Sequence, residues 1–405
     1  MKKKSKFNFS SSLPYVIARG IWCSMREVRK EIKQRKAPEN TLITLYPEDR
    51  SRGRVLLSYN IQGFLLKPGM PMLNTHTNIW QSVNMAEAFV ELGYEVDVIH
   101  WTNSTFLPRY DYSYFIDVRR NMERLAPILN GSCIKIMHLD TTHILFHNAA
   151  EAKRLLQLKD RRGITLQPRR FEMPNLGIEL ADYGTAVGND FTINTFNYAN
   201  KKIFKVPSPC GTMFDWPEKD WDNCRNRFLW FSSSGFVHKG LGLALEAFTD
   251  MPDCYLTVCG PVNREKDFER AYYNELYETP NIKTIGWIDV NSNTFREITA
   301  TCCAIVSLSC SEAGGTTTKI CMHAGLIPVV SLESGVDVND FGFVLKDCSI
   351  KKIKDIIKQV SVLPRDEMEE RARKAWEFAR QYHTRENFAN EYRKVILSII
   401  EDGNK

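Results

Sequence analysis

Residues 304–330 of the chain are AIVSLSCSEAGGTTTKICMHAGLIPVV. The apolar run at 304–308 predicts a buried strand, and the small residues that follow predict a turn into a short helix. A second apolar run, Ile327-Pro328-Val329-Val330, predicts the next strand. Strand, helix and strand joined by short glycine-marked turns make the βαβ unit of a parallel sheet, so this stretch indicates the α/β class.

The same alternation extends outward towards both ends of the chain. Candidate strands lie at 55–59, 94–99, 114–116, 133–137, 228–231 and 254–258, and candidate helix faces at 79–90 and 241–248. The alternation stops between 205 and 227, where prolines, a glycine and charged residues predict a linker. Two βαβ-rich halves joined by a linker predict two doubly wound domains that face a cleft.

The composition limits the class of protein. The 405 residues are 43% hydrophobic and 25% charged, as in a soluble globular protein. The sequence contains no run of about 18 consecutive apolar residues, the length that would predict a membrane-spanning helix. The eleven cysteines include no Cys-x-x-Cys pair. We therefore expect reduced, mostly buried thiols in a cytoplasmic protein, without a disulfide framework or a zinc site.

The positive charge is concentrated at the N terminus. Residues 1–36 contain eleven Lys and Arg against two Glu, whereas the whole chain has a net charge of only +6. The remainder is therefore slightly acidic, which argues against a nucleic-acid-binding groove. An apolar stripe at helical spacing within 15–36 predicts a basic amphipathic helix that places the protein on an anionic membrane surface, at the inner face. The alternative is a solvated helix packed on its own domain.

Two loops have the residue types that phosphate binding requires. The first is Ser311–Thr318, where small residues let the backbone approach a ligand and the first N–H groups of a helix attract an anion. The second is Phe231–Leu241, in which Lys239 precedes a glycine and could neutralise a diphosphate leaving group. A plain strand-to-helix turn and a solvated lysine at a helix start are the alternatives.

Together these loops resemble the retaining glycosyltransferases of family 4, which have the GT-B fold. The similarity is clearest from Phe228 to Phe343. His238-Lys239-Gly240-Leu241 resembles the family's Lys-Gly loop, and Gly286-Trp287-Ile288 its Gly-Trp-aliphatic segment. Glu312 through Val330 resembles its Glu-x7-Glu motif with the trailing strand.

The resemblance implies a division of the chain and a set of site residues. The implied parts are a basic N-terminal extension (1–50), an N-terminal Rossmann-like acceptor domain (51–210), a linker (211–227), a C-terminal Rossmann-like donor domain (228–380) and a C-terminal helix (381–405). The implied catalytic residues are Lys239 on the donor diphosphate, Glu312 on the sugar hydroxyls and His138 in the N-terminal domain, with His143 and His147 as rivals. The histidine could equally be structural. The implied donor-binding residues are Ser234, Gly235, Gly314, Gly315, Thr316 and Thr317.

Two departures from the family pattern affect the donor side. Ile320 stands where the family has its second Glu, which usually holds the nucleotide ribose. Ser232–Gly235 stand where the family has an arginine before the Lys-Gly pair. Lys319, Arg225 and Arg227 are candidate replacements.

The resemblance implies a retaining glycosyltransferase that moves a sugar from a nucleotide-sugar donor to a glycan or lipid-linked acceptor, in cell-surface polysaccharide synthesis. The alternatives are a non-catalytic glycosyltransferase-like subunit and a GT-B-fold sugar-nucleotide epimerase that would use Glu312 and Glu333. We expect no metal and no other cofactor, since Asp220-Trp221-Asp222, the one Asp-x-Asp match, does not end an apolar strand.

Overall fold

The computed structural model describes residues 40–66 and 77–403. The basic helix predicted within 15–36 therefore lies outside the described residues. The described chain forms two separate β-sheets, one in each half. The predicted class, two doubly wound α/β domains, is confirmed.

The N-terminal sheet has seven strands. They are β1 (Ile43–Leu45), β2 (Arg54–Tyr59), β3 (Glu95–His100), β4 (Tyr114–Asp117), β5 (Ile134–Leu139), β6 (Tyr183–Ala186) and β7 (Lys202–Lys205). Their order across the sheet is β1-β3-β2-β4-β5-β6-β7. All neighbours are parallel except β1, which pairs with β3 in the antiparallel direction. Residues 43–45, within the predicted extension, thus form an edge strand of this domain.

The C-terminal sheet has six strands and is entirely parallel. They are β8 (Arg227–Phe231), β9 (Tyr255–Cys259), β10 (Ile282–Gly286), β11 (Ala304–Ser307), β12 (Ile327–Ser331) and β13 (Phe343–Leu345). Their order is β10-β9-β8-β11-β12-β13. The chain reverses its direction of strand addition between β8 and β11, and ligands of open α/β sheets bind at such a switch point.

Helices cover both sheets. In chain order they are α1 (Thr77–Glu91), α2 (Asn121–Leu125), α3 (Ile144–Arg162), α4 (Gly177–Leu180), α5 (Asp190–Asn194), α6 (Trp221–Cys224), α7 (Leu241–Thr249), α8 (Lys266–Ala271), α9 (Tyr273–Tyr277), α10 (Asn293–Ala300), α11 (Thr316–His323), α12 (Ile350–Ser361), α13 (Arg365–Tyr382) and α14 (Arg385–Gly403). Short 3-10 turns lie at Gln62–Leu65, Ala126–Ile128, Asn197–Ala199, Val262–Arg264 and Leu332–Ser334.

Each domain receives a helix segment from the other half of the chain. The last helix, α14, packs Phe388, Tyr392 and Ile396 into the core beneath the N-terminal sheet. In the opposite direction, Leu158 near the end of α3 is buried in the core of the C-terminal domain. The pairs Arg161–Glu246 and Arg162–Glu275 add ionic contacts at this end of α3. The two domains are therefore joined by shared cores as well as by the linker.

The described cysteines, from Cys133 to Cys348, are all free thiols, and all but Cys348 are buried. Among residues 40–66 and 77–403, no helix has both the length and the apolar character needed to cross a membrane.

Candidate functional site

The two glycine-containing loops meet at the carboxyl ends of β8 and β11. The loop after β8 contains His238 and Lys239, and the loop after β11 contains Ser311 and Glu312. The N–H of Cys310 donates to the carbonyl of His238 at 2.9 Å, and the His238 Nε2 atom lies 2.7 Å from the carbonyl oxygen of Ser311. The loops therefore form one hydrogen-bonded unit at the switch point of the sheet.

Two glycines allow this close approach. Gly240 has a φ of +73°, and a Cβ there would lie 2.4 Å from the carbonyl oxygen of Leu308. Gly315 has a φ of +51°, and a Cβ there would lie 2.2 Å from the side chain of Val336. Both positions require the left-handed backbone and the missing side chain that only glycine supplies at low cost.

Lys239 and Glu312 form an ion pair at the centre of this unit. Only 12% of the Lys239 side chain and 21% of the Glu312 side chain are exposed. Ser309 Oγ also donates to Glu312 Oε1, at 3.0 Å. Burial alone would raise the pKa of Glu312, but the nearby positive charges, that of Lys239 above all, outweigh it and lower the pKa to about 2. Glu312 is therefore ionised at neutral pH.

The N-terminal domain contributes His147, from α3, to the same unit. Its Nε2 atom lies 2.8 Å from the carbonyl oxygen of Arg170, which can only accept, so Nε2 carries the proton. Its Nδ1 atom then accepts from the hydroxyl of Ser311, at 2.9 Å. Burial lowers the pKa of His147, so the ring is neutral at neutral pH. The loop that contains Glu312 is thus held from both domains.

The structure does not bring His138 to this unit. Its ring is fully buried, lies 5.9 Å from the ring of Tyr59, and makes its hydrogen bond to Thr185 Oγ1 at 2.8 Å. Burial lowers its pKa to about 4. His143 caps α3 and faces Tyr198. Of the three candidate histidines, His147 is the one that contacts the Ser311-Glu312 loop.

The predicted donor-binding residues differ in how available they are. Gly314, Gly315, Thr316 and Thr317 are half-buried at the start of α11, where the first N–H groups have no acceptor within the helix. The N–H of Gly235, by contrast, donates to the buried carboxylate of Glu265. Its neighbour Ser234 is exposed. The α11 end of the site is open to an anion, and the Gly235 amide is already satisfied.

The suggested replacements for the missing donor residues lie elsewhere. Ile320 packs in an apolar cluster with Leu229 and Phe295, so no polar group replaces the second Glu at that position. Lys319 is only 3% exposed, and burial lowers its pKa to about 8. Arg225 and Arg227 contact backbone carbonyls at the amino end of β8, the edge of the sheet away from the site.

The Asp-x-Asp segment is a helix start. Asp220 caps α6 by accepting the N–H of Asn223 at 3.1 Å, and Asp222 pairs with Arg365. Within the described ranges, no group of three or more His, Cys, Asp or Glu side chains could hold a metal ion.

Arg170 is a site residue that the sequence analysis missed. Its side chain passes over Gly235, where an added Cβ would lie 2.6 Å from Arg170 Cγ. Its positive charge also contributes to the lowered pKa of Glu312. Arg170 lies in the irregular segment between α3 and α4, which has no periodic pattern or motif that could have indicated it.

Two doubly wound parallel sheets with a ligand site at the cleft between them define the GT-B class, and the chain has the GT-B fold of glycosyltransferases. The sequence matches no protein-family model and no curated protein. Similar solved structures include sucrose-phosphate synthase from Thermosynechococcus elongatus (TM-score 0.60, 11% identity, 87% of this chain and 100% of that one). A glycosyltransferase from Rickettsia africae is also similar (TM-score 0.53, 12% identity, 88% and 99%). So is Anabaena HepE in complex with UDP-glucose (TM-score 0.52, 11% identity, 85% and 100%).

Proposed function

We propose that the chain is a glycosyltransferase that takes a sugar from a nucleotide-sugar donor, held mainly by the C-terminal domain, and transfers it with retention of configuration. The observation that carries the proposal is the buried Lys239–Glu312 pair beside the N terminus of α11, at the switch point of the sheet. HepE was solved with UDP and glucose and with UDP-glucose. UDP-sugars are therefore the first donors to test.

The pair offers a separate partner for each end of the donor. A phosphate oxygen can replace the Glu312 carboxylate as the partner of the Lys239 ammonium, because both are anionic acceptors. Glu312, released from Lys239, can then accept hydrogen bonds from sugar hydroxyls. The exchange keeps the lysine neutralised at every stage, so the empty site needs no unpaired buried charge.

The same groups would stabilise the departing diphosphate. As the bond between the anomeric carbon and the diphosphate oxygen breaks, negative charge grows on the diphosphate. In this proposal Lys239 and the free N–H groups at the start of α11 receive that charge, and preorganised donors of this kind lower the barrier. These groups are protein residues throughout, so we propose that transfer is metal-independent.

The acceptor would bind in the N-terminal domain. A recess at the carboxyl ends of β4 and β5 is lined by polar groups such as Arg119, Asp140 and His143 and by apolar ones such as Met173 and Phe196. Mixed linings of this kind suit a sugar, which has hydroxyl edges and apolar faces. We propose a glycan or lipid-linked acceptor, in the synthesis of cell-surface polysaccharide.

A second candidate is a non-catalytic glycosyltransferase-like subunit. It is favoured by Ile320, which lies in an apolar cluster at the position of the family's second Glu. An epimerase would need two carboxylates in the cleft. The sequence suggested Glu333 as the second carboxylate, after Glu312. The contact of Glu333 with the Glu312 loop is made by its backbone carbonyl, which accepts the N–H of Glu312 at 2.9 Å.

A donor screen followed by a turnover assay separates these functions. Nucleotide sugars with uridine, guanosine and adenosine bases are first screened by thermal shift, and release of the nucleoside diphosphate is then measured. A transferase stabilised by one donor should hydrolyse it slowly and faster with acceptor, whereas the subunit should bind without turnover and an epimerase should change the sugar without releasing nucleotide. Absence of binding by every donor would refute the proposal.

A further inference from the structure

We propose that Arg170 is the second cation of the donor site, and that its guanidinium binds the donor's diphosphate opposite Lys239. The inference rests on the proposed function. It assigns a diphosphate-binding role to a residue of the segment between α3 and α4, outside both glycine-containing loops.

The position of Arg170 is fixed at its backbone. Its N–H donates to both carboxylate oxygens of Glu151, at 3.1 and 3.0 Å, and its carbonyl accepts from Nε2 of His147. Glu151 and His147 are both buried residues of α3. These bonds to α3 therefore fix the backbone of the segment at Arg170.

The side chain of Arg170 lies directly on the loop after β8, at Gly235. A Cβ built on Gly235 would come within 2.6 Å of its Cγ and 2.8 Å of its Cδ, so the stem crosses bare backbone. Burial lowers the pKa of Lys239, and the positive charge of Arg170 adds to that shift. The guanidinium, whose stem lies on Gly235, is thus close enough to act on the charges of both Lys239 and Glu312.

Among the described residues, the positive charge of Arg170 has no ionic partner of the kind that its neighbour Arg169 has. Arg169 pairs with Asp267 at 2.5 Å. For the Arg170 guanidinium, in contrast, the structure records no hydrogen bond or ion pair with any residue of 40–66 or 77–403. Arg170 therefore places a second positive charge beside the Lys239–Glu312 pair, within the electrostatic range of the Glu151 carboxylate. A planar guanidinium can bind phosphate oxygens through two parallel hydrogen bonds, so a diphosphate is the ligand that this arrangement fits.

Calorimetric titration of the full chain with UDP, GDP and ADP tests the inference. The nucleoside diphosphate that binds the wild type most tightly is then titrated into each variant. Arg170→Gln should weaken its affinity by at least about tenfold, and Arg170→Lys should recover part of the loss. Arg169→Gln, the matched control, should stay within about twofold of the wild type, because its charge is paired elsewhere. The corresponding nucleoside without phosphate should bind all variants alike.

The outcomes separate the inference from the proposed function. If the wild-type chain binds none of the three diphosphates, the proposed function fails and the inference fails with it. If the wild type binds and Arg170→Gln binds equally well, or if Arg169→Gln is weakened as much, the inference alone fails. If Arg170→Gln lowers the Tm markedly, the test uses Arg170→Lys instead. A weaker diphosphate affinity of Arg170→Lys at a wild-type Tm supports the role of Arg170, and a wild-type affinity overturns it.

Discussion

Ser311 Oγ lies 2.9 Å from His147 Nδ1, although the two residues belong to different domains. The same hydroxyl also hydrogen-bonds to Thr142 Oγ1. Because Ser311 immediately precedes Glu312, these two contacts fix the position of the Glu312 loop from the N-terminal side. The geometry of the proposed donor site therefore depends on α3 as well as on the C-terminal sheet.

Replacing Lys239 with alanine should lower turnover by about 100-fold, because a preorganised cation at a developing anion contributes roughly 3 kcal/mol. Steady-state kinetics with the best donor measure the effect. Lys266→Ala is the control, since that lysine is 71% exposed and pairs with Glu269 on the surface. A Lys239→Ala enzyme with a native rate would contradict the role given to this residue.

Lys239→Met should also lower the free energy of unfolding, by about 3 kcal/mol, because it leaves the buried Glu312 carboxylate without its partner. Adding Glu312→Gln should restore more than half of the loss, since the remaining group is then neutral. Urea denaturation of the wild type, both single variants and the double variant gives the coupling energy. Additive losses would mean that the two side chains do not interact.

Acidification from pH 6.5 to pH 4 should destabilise the wild type partly through His138. Burial lowers the pKa of His138 from 6.5 to about 4, so the unfolded chain takes up this proton first and the stability present above pH 6.5 is lost as the pH falls. The full shift corresponds to about 3 kcal/mol. His138→Asn should show a shallower loss over this range while changing turnover by less than about threefold, as expected for an interior side chain.

A large fall in turnover for His138→Asn, with an unchanged pH dependence of stability, would reverse that assignment. It would restore His138 as the N-terminal catalytic histidine.

Turnover should persist in excess chelator, because Lys239 and the N terminus of α11 provide the positive charge that the diphosphate requires. The assay compares initial rates with EDTA, with added magnesium and with added manganese. Complete loss of activity in chelator, restored by either ion, would show that the leaving group needs a metal.

The basic residues 1–36 should hold the protein on anionic vesicles, since each basic residue near such a surface contributes about 1 kcal/mol and salt screens the effect. Full-length protein should co-sediment at low salt and release as salt rises. A chain beginning at Asn40 keeps β1 and should stay in the supernatant while still binding donor. Binding of the shortened chain to vesicles would place the membrane contact on the folded domains instead.

The strands predicted from the sequence are those with continuous apolar runs. β2, β4 and β11 are buried on both faces and lie inside their sheets, and a parallel strand in that position consists almost entirely of apolar residues. Five strands were missed. Four of them, β1, β7, β10 and β13, lie at sheet edges, where half-exposed residues interrupt the apolar pattern. The fifth, β6, lies inside its sheet but has the sequence Tyr183-Gly184-Thr185-Ala186, which contains no apolar run.

Part of the candidate site could also be predicted. Lys239 was identified because it precedes a glycine in a polar loop after a strand, and Glu312 was identified through the resemblance of its loop to the family 4 motif. The pattern gave no indication that the two would pair in a largely buried position. His147 and Arg170 depend on how α3 docks across the cleft, and local sequence does not encode that docking.

The return of α14 to the N-terminal domain constrains the order in which the protein can mature on the ribosome. The N-terminal core is completed by Phe388, Tyr392, Ile396, Ile399 and Ile400, which are synthesised only after the strands of the C-terminal domain. Nascent chains usually complete their first domain first. Here the N-terminal domain exposes an apolar face until α14 has been synthesised, so a chain truncated before α14 should require chaperone protection that a chain containing α14 does not.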